Sequence, residues 1–464
     1  MTRDILAVDV GTTALKLAVF GPDLDKRCEA SRRYDVRLSG DGGAEIDPET
    51  WWQALKDCCA EVRRDLGRVG TLTWSVTTPG LTAMDEHGRA LSPAMLFFDG
   101  RSHEQARAIR AAVGEDRFLR ETCNLPVSGG SSLCSILWLR EHRPETFQQA
   151  AKFGHTNTYM VKRAAGAWAI DPSTVSITGL YNTARNDLTW NRAALEGAGI
   201  SSERLPPLLH SHQSAGRIAP QAADELGLPL DCDVLCGGND AVLGALSCGV
   251  TESGDIGTVC GTCEITYVAV DRPIASPSFN LRCHVLPGRW MTFFVLNTGG
   301  KALEWFQQTF CREMDERFFY ERYVPGALAG FFDDPRRDAR ESALPEYIPY
   351  LGGSRYSLER MKAGFNGLTL GTTRDDLLLS VIRGNALYHR QHLEEVGKLV
   401  ALGKRIVTTG GGASIPGYLA AKRRWTGDFE YKFRDQSSEL GAAVLARLRH
   451  GLPPLPEALA ARSQ

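Results

Sequence analysis

One stretch decides the fold, Ile5-Leu6-Ala7-Val8-Asp9-Val10-Gly11-Thr12-Thr13-Ala14-Leu15-Lys16. Two aliphatic runs flank Gly-Thr-Thr, and this pattern predicts a β-hairpin whose first strand is buried. The predicted tip carries a carboxylate, two hydroxyls, backbone N–H groups and a lysine. Such groups can cradle a phosphate, and a carboxylate at a strand end can hold a hydrated Mg²⁺. The alternative is an ordinary hairpin, and the stretch alone does not separate the two.

The bulk properties indicate a globular protein of more than one domain. The chain has 464 residues, of which 43% are hydrophobic and 23% charged, and its formal net charge is −2. This length exceeds one compact core, and the charge argues against nucleic-acid and membrane partners. The chain enters its first strand directly after Arg3 and Asp4, without a signal sequence, so we expect a cytoplasmic protein.

The cysteines predict neither a zinc site nor a disulfide framework. Twelve cysteines are scattered through the chain, and Cys260-x-x-Cys263 has no second pair at metal-binding spacing. We therefore expect reduced, packed thiols.

Strands and helices alternate along the chain, which favours an α/β architecture. Asp47-Pro48 predicts a helix start. We expect strands at 71–76, 81–84 and 95–98, mostly helix over 130–165, loops over 325–365, a long helix over 373–399 and a proline-rich tail. Short strands recur from Gly254 onward, and we place a domain boundary at 248–254.

Four glycine-rich loops are predicted at strand ends, at 11–13, 261–262, 299–300 and 410–412. Glycine lets a polyanion approach the backbone closely, and a following helix N-terminus supplies positive potential. Neither a Walker A motif nor a G-x-G-x-x-G fingerprint is present. The loops at 11–13 and 261–262 each open one half of the chain, which predicts a nucleotide held between two similar domains.

These motifs, in this order, resemble the FGGY family of carbohydrate kinases, a branch of the actin-like ATPase superfamily. The resemblance covers almost the full chain. It is carried by Asp9-Val10-Gly11-Thr12-Thr13 with Lys16, residues 80–85, Phe97-Phe98-Asp99-Gly100-Arg101, Gly237-Gly238-Asn239-Asp240, Gly261-Thr262-Cys263-Glu264, residues 300–305, Gly410-Gly411-Gly412-Ala413 and Gly364-Phe365-Asn366-Gly367-Leu368.

The resemblance implies an α/β fold of two actin-like (ribonuclease H-like) domains with a catalytic cleft between them. Residues 1–248 would form the domain that binds the sugar and carries the first phosphate loop. Residues 249–464 would form the nucleotide-binding domain.

The resemblance also implies residue roles. Asp240 would be the general base, although a helix N-cap is its ordinary alternative role. The acceptor would be bound by Thr78, Asp99, Arg101, Asn239 and Asp240. ATP would be bound by Thr12, Thr13, Lys16, Gly261, Thr262, Gly300, Glu304, Gly411 and Gly412. Asp9 would hold Mg²⁺ through water.

Three positions depart from the family pattern. Ser135 stands where a lysine is usual, Pro79 where xylulose kinases carry a histidine, and Arg383 where an acidic or amide residue is usual. We expect an ATP-dependent sugar or polyol kinase, with a ketopentose such as xylulose as the first candidate acceptor and a homodimer as the assembly to test. The alternatives are another acceptor (a polyol, deoxysugar, aldonate or signalling sugar) or an actin-like nucleotide-binding protein without transferase activity.

Overall fold

The computed structural model describes residues 3–359, 361–434 and 437–454. The chain divides into two compact units. The first comprises Met1–Thr251, Asp271–Met291 and Ser437–Gln464, and the second comprises Glu252–Val270 and Thr292–Gln436. The exact bounds of the two predicted domains and the catalytic cleft between them stay predictions. Most of the predicted proline-rich tail lies outside the described residues.

The strands are short to medium in length. In chain order they are β1 Asp4–Val10, β2 Ala14–Phe20, β3 Lys26–Arg33, β4 Arg37–Leu38, β5 Ala44–Ile46, β6 Val69–Val76, β7 Gly80–Met84, β8 Ala94–Leu96, β9 Lys152–Gly154, β10 Ser214–Arg217, β11 Asp233–Leu235, β12 Gly238–Asn239, β13 Ile256–Cys260, β14 Glu264–Val270, β15 Asn280–Cys283, β16 Trp290–Leu296, β17 Glu346–Ile348, β18 Gly364–Asn366, β19 Arg405–Thr409 and β20 Glu430–Phe433.

The helices alternate with these strands. In chain order they are α1 Pro48–Glu61, α2 His103–Val113, α3 Glu115–Thr122, α4 Ser132–His142, α5 Pro144–Gln149, α6 Thr156–Ala165, α7 Pro172–Val175, α8 Arg192–Ala198, α9 Pro220–Leu226, α10 Asp240–Ser247, α11 Gly300–Phe310, α12 Glu316–Phe318, α13 Val324–Phe332, α14 Arg337–Ala343, α15 Arg374–Gly397, α16 Tyr418–Thr426 and α17 Ser438–Arg449. Among the described residues, none of these helices is both long and apolar enough to cross a bilayer.

The central sheet of the first unit is built on the predicted hairpin. Strands β1 and β2 pair antiparallel, and β1 pairs in parallel with β6 on its other side. The strand order is β10-β11-β6-β1-β2-β3, with β12 also pairing with β6. Strand β1 is almost entirely buried because it lies in the middle of the sheet, between β6 and β2, where both faces of the sheet are covered. Ile5 to Val10 therefore read as a continuous apolar run interrupted by Asp9.

The second unit repeats this arrangement. Strands β13 and β14 form an antiparallel hairpin, and β13 pairs in parallel with β19, which pairs in parallel with β20. In both units, the first strand of a hairpin lies beside a parallel strand that ends in a polar or glycine-rich loop. The predicted duplication at 9–13 and 261–262 corresponds to these two hairpins.

The start of α1 matches its prediction. The Asp47 side chain accepts the Glu49 N–H at 3.0 Å, and Pro48 occupies the first turn, where its missing N–H has no cost. Trp51, Trp52 and Leu55 are buried in the core of the first unit.

One regional prediction is wrong. Residues 325–365 contain α13, α14 and β17 rather than loops only, because Leu328, Phe331 and Tyr347 pack in the core of the second unit. The prediction took Pro325 as a sign of a loop, but this proline lies in the first turn of α13, where proline is tolerated. The prediction of mostly helix over 130–165 is confirmed by α4, α5 and α6, and only the short strand β9, which adds to the edge of β7, lies between α5 and α6.

Candidate active site

The β1–β2 hairpin places its predicted phosphate-binding groups at one tip. Asp9 and Lys16 are register partners across the two strands, and the Gly11 N–H donates to Ala14 O at 3.0 Å, closing the turn. Thr13 and Lys16 are exposed. The Thr12 hydroxyl is half-buried and lies 3.3 Å from the Thr77 hydroxyl, at the end of β6. The hairpin is confirmed, and its contact with ATP stays a prediction.

Asp9 is a partly buried carboxyl in an acidic neighbourhood. Its Oδ1 atom accepts the Ser75 hydroxyl at 2.6 Å. Burial raises the pKa of Asp9 from 3.8 to about 7, and repulsion from Asp240 and Glu439 adds to this, while the Ser75 hydrogen bond and Lys16 act in the opposite sense. A cation beside Asp9 would relieve this repulsion.

The donor set at Asp9 fits a hydrated Mg²⁺. The described residues hold no group of three or more His, Cys, Asp or Glu side chains that could enclose a metal ion. Mg²⁺ does not need such a cage, since it usually keeps several waters and binds one or two carboxylates together with substrate phosphates. Asp9 offers that carboxylate.

Asn239, rather than Asp240, is the N-cap of α10. The Asn239 Oδ1 atom accepts the Val242 N–H at 3.1 Å. Asp240 is therefore the first helical residue, and its Oδ1 atom accepts the Asn239 Nδ2 group at 2.9 Å and the Ala241 N–H at 2.7 Å. Both hydrogen bonds that the described residues donate to this carboxylate fall on Oδ1.

Burial raises the pKa of the Asp240 carboxyl above its usual range, while the positive charge of Arg282 acts in the opposite sense. The Asp240 residue is half-buried. A carboxylate with a raised pKa and one oxygen outside this hydrogen-bond pattern has the properties that a general base requires.

Thr78 lies beside this pair and contacts a residue that the sequence analysis did not single out. Its hydroxyl oxygen lies 2.8 Å from Asn239 Nδ2 and 3.1 Å from Arg282 Nη1, both of which donate. Arg282 also donates to Ser173 O at 3.3 Å. No motif marks Arg282, because it lies on β15, about 200 residues along the chain from Thr78.

Asp99 and Arg101 bind each other in the first unit. The Arg101 Nη2 group donates to Asp99 Oδ2 at 2.6 Å and to Glu45 Oε1 at 2.7 Å, and the side chains of Asp99 and Arg101 are 0% and 6% exposed. Arg37 and Arg143 also donate to Glu45. This buried ion cluster excludes the ordinary surface-turn alternative. A direct sugar contact by Asp99 or Arg101 stays a prediction.

The second unit brings its predicted nucleotide residues together around one cavity of about 630 Å³. Of the predicted ATP-binding residues, those in its lining are Gly261, Thr262, Gly300, Glu304, Gly411 and Gly412. Tyr320 and Pro416, which the sequence analysis did not select, also line it. They follow no recognisable motif and reach the cavity only through the packing of the second unit.

Two glycines of this cavity, Gly300 and Gly411, differ in what surrounds them. The Gly300 N–H donates to Gly261 O at 2.9 Å, and a Cβ atom at position 300 would lie 2.7 Å from that oxygen. By contrast, a Cβ atom at Gly411 would meet no atom within 4 Å, so this backbone faces open space. The loop is thus accessible to a ligand from one side.

A buried charged cluster lies directly behind the cavity. Glu264 Oε1 accepts the Tyr418 hydroxyl, and Oε2 accepts the Lys422 ammonium, both at 2.5 Å. His389 Nε2 lies 3.3 Å from Oε2. Burial alone would raise the pKa of Glu264, but Lys422 and His389 outweigh it and hold the pKa below its usual range. The cluster joins β14, which follows the 261–263 loop, to α15 and α16.

Comparison with known proteins identifies the family of this chain. The model of the FGGY family of carbohydrate kinases, N-terminal domain, matches residues 5–247, and the model of the C-terminal domain matches residues 257–447. The chain belongs to the FGGY family of carbohydrate kinases, and it is an ATP-dependent sugar phosphotransferase with a two-domain actin-like fold.

The relatives of this chain include kinases that are named for different acceptors. The chain is 25% identical to the xylulose kinase of Escherichia coli (strain K12) over 96% of this chain and 89% of that protein. It is also 25% identical to the gluconokinase of Bacillus subtilis (strain 168) over 83% of this chain and 75% of that protein. The xylulose kinase structure from Rhodospirillum rubrum has a TM-score of 0.87 at 24% identity, covering 97% of this chain and 90% of that one.

Proposed function

We propose that this kinase transfers the γ-phosphoryl group of ATP to a hydroxyl of a ketopentose such as xylulose, with Asp240 as general base. One observation carries the base assignment. Asn239 performs the capping of α10, and both hydrogen bonds donated to Asp240 by the described residues fall on Oδ1. We therefore assign Asp240 Oδ2 as the atom that takes up the proton of the acceptor hydroxyl.

The proposed step is an in-line transfer. The acceptor oxygen forms a bond to the γ-phosphorus as the bond from phosphorus to the ADP oxygen breaks, and the hydroxyl proton passes to Asp240 Oδ2. Such a transfer depends on positioning and charge stabilisation. The cavity lined by Gly261, Gly300 and Gly411 would hold the nucleotide, and Thr12, Thr13 and Lys16 would contact its phosphates.

Asp9 would hold Mg²⁺ through water. The ion supplies charge neutralisation to the phosphate oxygens when bound. Burial and the neighbouring carboxylates raise the pKa of Asp9 to about 7, and a bound cation would favour its ionised form.

We choose xylulose by the share of each relative that this chain matches, because the xylulose kinase and the gluconokinase have the same sequence identity to it. The chain matches more of the E. coli xylulose kinase than of the B. subtilis gluconokinase, at 89% and 75% of the respective proteins. Pro79 replaces the histidine of xylulose kinases, however, so that one side-chain contact to the acceptor must differ. Gluconate is therefore the second candidate acceptor.

An ADP-release assay with a panel of acceptors tests the proposal. The panel comprises xylulose, ribulose, gluconate, a polyol, a deoxysugar and a signalling sugar, each at equal concentration with ATP and Mg²⁺. We expect the highest kcat/KM with xylulose and little ADP release without an acceptor. A higher kcat/KM for gluconate would contradict the proposed ketopentose acceptor and would indicate an aldonate instead.

The variant Asp240→Asn tests the base. We expect kcat to fall by at least ~100-fold, the lower end of general-base contributions, while nucleotide affinity stays within about 2-fold. The matched control is Asp231→Asn, because Asp231 is an exposed carboxylate of the same unit that pairs with Arg3. Near-normal turnover of Asp240→Asn would remove Asp240 from the mechanism.

A further inference from the structure

We propose that Arg282 is a positioning residue for the acceptor half of the site, where it closes a ring of hydrogen bonds that holds Asn239 and, through it, the Asp240 carboxylate. The inference deepens the proposed function and rests on Asp240 being the base. It concerns a residue outside the motifs that define the family resemblance.

The ring has four members in the first unit, Arg282 on β15, Ser173 in α7, Asn239 on β12 and Thr78 in the turn between β6 and β7. The Arg282 Nη1 group donates to the Thr78 hydroxyl at 3.1 Å, and that hydroxyl also accepts Asn239 Nδ2 at 2.8 Å. The Asn239 N–H donates to the Ser173 hydroxyl at 2.9 Å, and Ser173 O accepts Arg282 Nη1 at 3.3 Å. The ring is thus closed through both the side chain and the backbone of Asn239.

The ring is rigid because its members are buried and held from outside. Thr78, Ser173 and Asn239 are 6%, 0% and 1% exposed, and Arg282 is 9% exposed. The Ser173 N–H donates to Asp171 Oδ2 at 2.9 Å, and the Ser211 hydroxyl donates to the same oxygen at 2.8 Å. Buried, satisfied networks of this kind fix side-chain positions more firmly than single contacts do.

Arg282 is the charged member of this ring, and it attracts the Asp240 carboxylate electrostatically. It reaches the site from β15, whereas Thr78, Ser173 and Asn239 all precede residue 240. Removing its guanidinium would open the ring at Thr78 and at Ser173 together. The Asn239 amide would then lose one of its constraints, and the position of the Asp240 carboxylate would become less defined.

The test compares Arg282→Met, Arg282→Lys and Thr78→Val in the ADP-release assay. We expect Arg282→Met to lower kcat by about 10- to 100-fold, since a small misplacement of a catalytic group can cost about 100-fold, while the KM for ATP changes less than about 2-fold. Arg282→Lys should recover part of kcat, because an ammonium keeps the charge and one of the two hydrogen bonds.

The double variant Arg282→Met/Thr78→Val separates positioning from general destabilisation. Because both residues act through one ring, we expect the double variant to lose little more kcat than the worse single variant. The matched control is Arg447→Met. Arg447 is also 9% exposed, and its partners among the residues that the structure describes are the backbone oxygens Pro22 O and Pro453 O, so its loss should lower stability and leave kcat within about 2-fold.

Three outcomes overturn the inference: unchanged kcat in a folded Arg282→Met, a multiplicative loss in the double variant, or an equal kcat loss in Arg447→Met. If Arg282→Met does not fold, Ser173→Ala opens the same ring at the Asn239 N–H without removing the charge, and an unchanged kcat in a folded Ser173→Ala then overturns the inference. The Asp240→Asn variant is measured in parallel. Normal turnover there contradicts the proposed base, whereas an inactive Asp240→Asn beside a fully active Arg282→Met contradicts the ring alone.

Discussion

Asn239 and Asp240 divide two tasks that one residue could have shared: Asn239 Oδ1 caps α10 by accepting the Val242 N–H at 3.1 Å, and Asn239 Nδ2 orients the Asp240 carboxylate at 2.9 Å. An amide can do both because it carries an acceptor and donors on one side chain. A serine can cap a helix equally well, but it cannot orient Asp240 in the same way.

The variants Asn239→Ser and Asn239→Ala should separate capping from orientation. We expect Asn239→Ala to lower the free energy of unfolding by about 1 kcal/mol through loss of the cap, and Asn239→Ser to lower it much less. Both variants should lose kcat, since both lack Nδ2. Denaturant unfolding and the ADP-release assay measure the two effects, and a fully active Asn239→Ser would contradict the orienting role.

The raised pKa of Asp9 predicts a pH dependence of stability. Because the folded pKa is about 7 and the ordinary value is 3.8, the folded state binds more protons than the unfolded state between these values. The contribution of Asp9 to stability is therefore present below about pH 4 and is lost as the pH rises through 7. Asp9→Asn removes this loss, so its stability relative to wild type should increase from pH 4.5 to pH 8.

Asp231→Asn is the control without a response in this range. Its hydrogen bond with Arg3 lowers the pKa of Asp231 from 3.8, so the wild-type contribution is present above about pH 4 and is lost only on further acidification, and the stability of Asp231→Asn relative to wild type should stay constant from pH 4.5 to pH 8. Urea unfolding at pH 4.5, 6 and 8 compares the three proteins. A relative stability of Asp9→Asn that does not change with pH would show that the Asp9 pKa is not raised.

The buried cluster at Glu264 predicts a strong asymmetry between single and double variants. Glu264→Gln should destabilise the second unit by roughly 3–5 kcal/mol, because it leaves the Lys422 charge buried without its carboxylate. The double variant Glu264→Gln/Lys422→Met removes both charges and should recover much of the loss. Denaturant unfolding followed by tryptophan fluorescence measures both, and additive losses would contradict a coupled pair.

Gly300 predicts a steric limit in the nucleotide cavity. A Cβ atom there would lie 2.7 Å from Gly261 O, so Gly300→Ala must separate two loops of the cavity. We expect the dissociation constant for ADP to rise by roughly 10-fold or more, in line with a few lost hydrogen bonds. Gly330→Ala in α13 is the control, because nothing lies within 4 Å of its Cβ position and ADP affinity should not change.

The sequence predicted local features well where one short pattern determines them. The hairpin around Asp9, the α1 start at Asp47-Pro48 and the loops at Gly261 and Gly411 each depend on neighbouring residues only. The sequence located the Asp240 loop at the start of a helix, but it left the N-cap role of Asp240 open as an alternative, because Asn and Asp are both good N-caps and adjacent residues compete for that position.

The remaining features depend on tertiary contacts. Arg282 reaches Thr78 only after β15 packs in the first unit, and no spacing in the sequence encodes that approach. Likewise, α13 contains Pro325 and Gly326 and lacks a strong local signal, yet Leu328 is completely buried. Packing in the second unit therefore overrides the weak helix propensity of this segment.

The three-part composition of the first unit constrains how the protein is made. Asp9 and Asp240 belong to the first part of this unit, but Arg282 belongs to Asp271–Met291, and α17, whose Ala442 O accepts the Thr73 hydroxyl, belongs to the third part. The nascent polypeptide must therefore leave the face of the central sheet that α17 covers exposed until residues 438–449 have been synthesised. A protein truncated before α17 would emerge with an exposed apolar sheet face and would need a chaperone to escape aggregation.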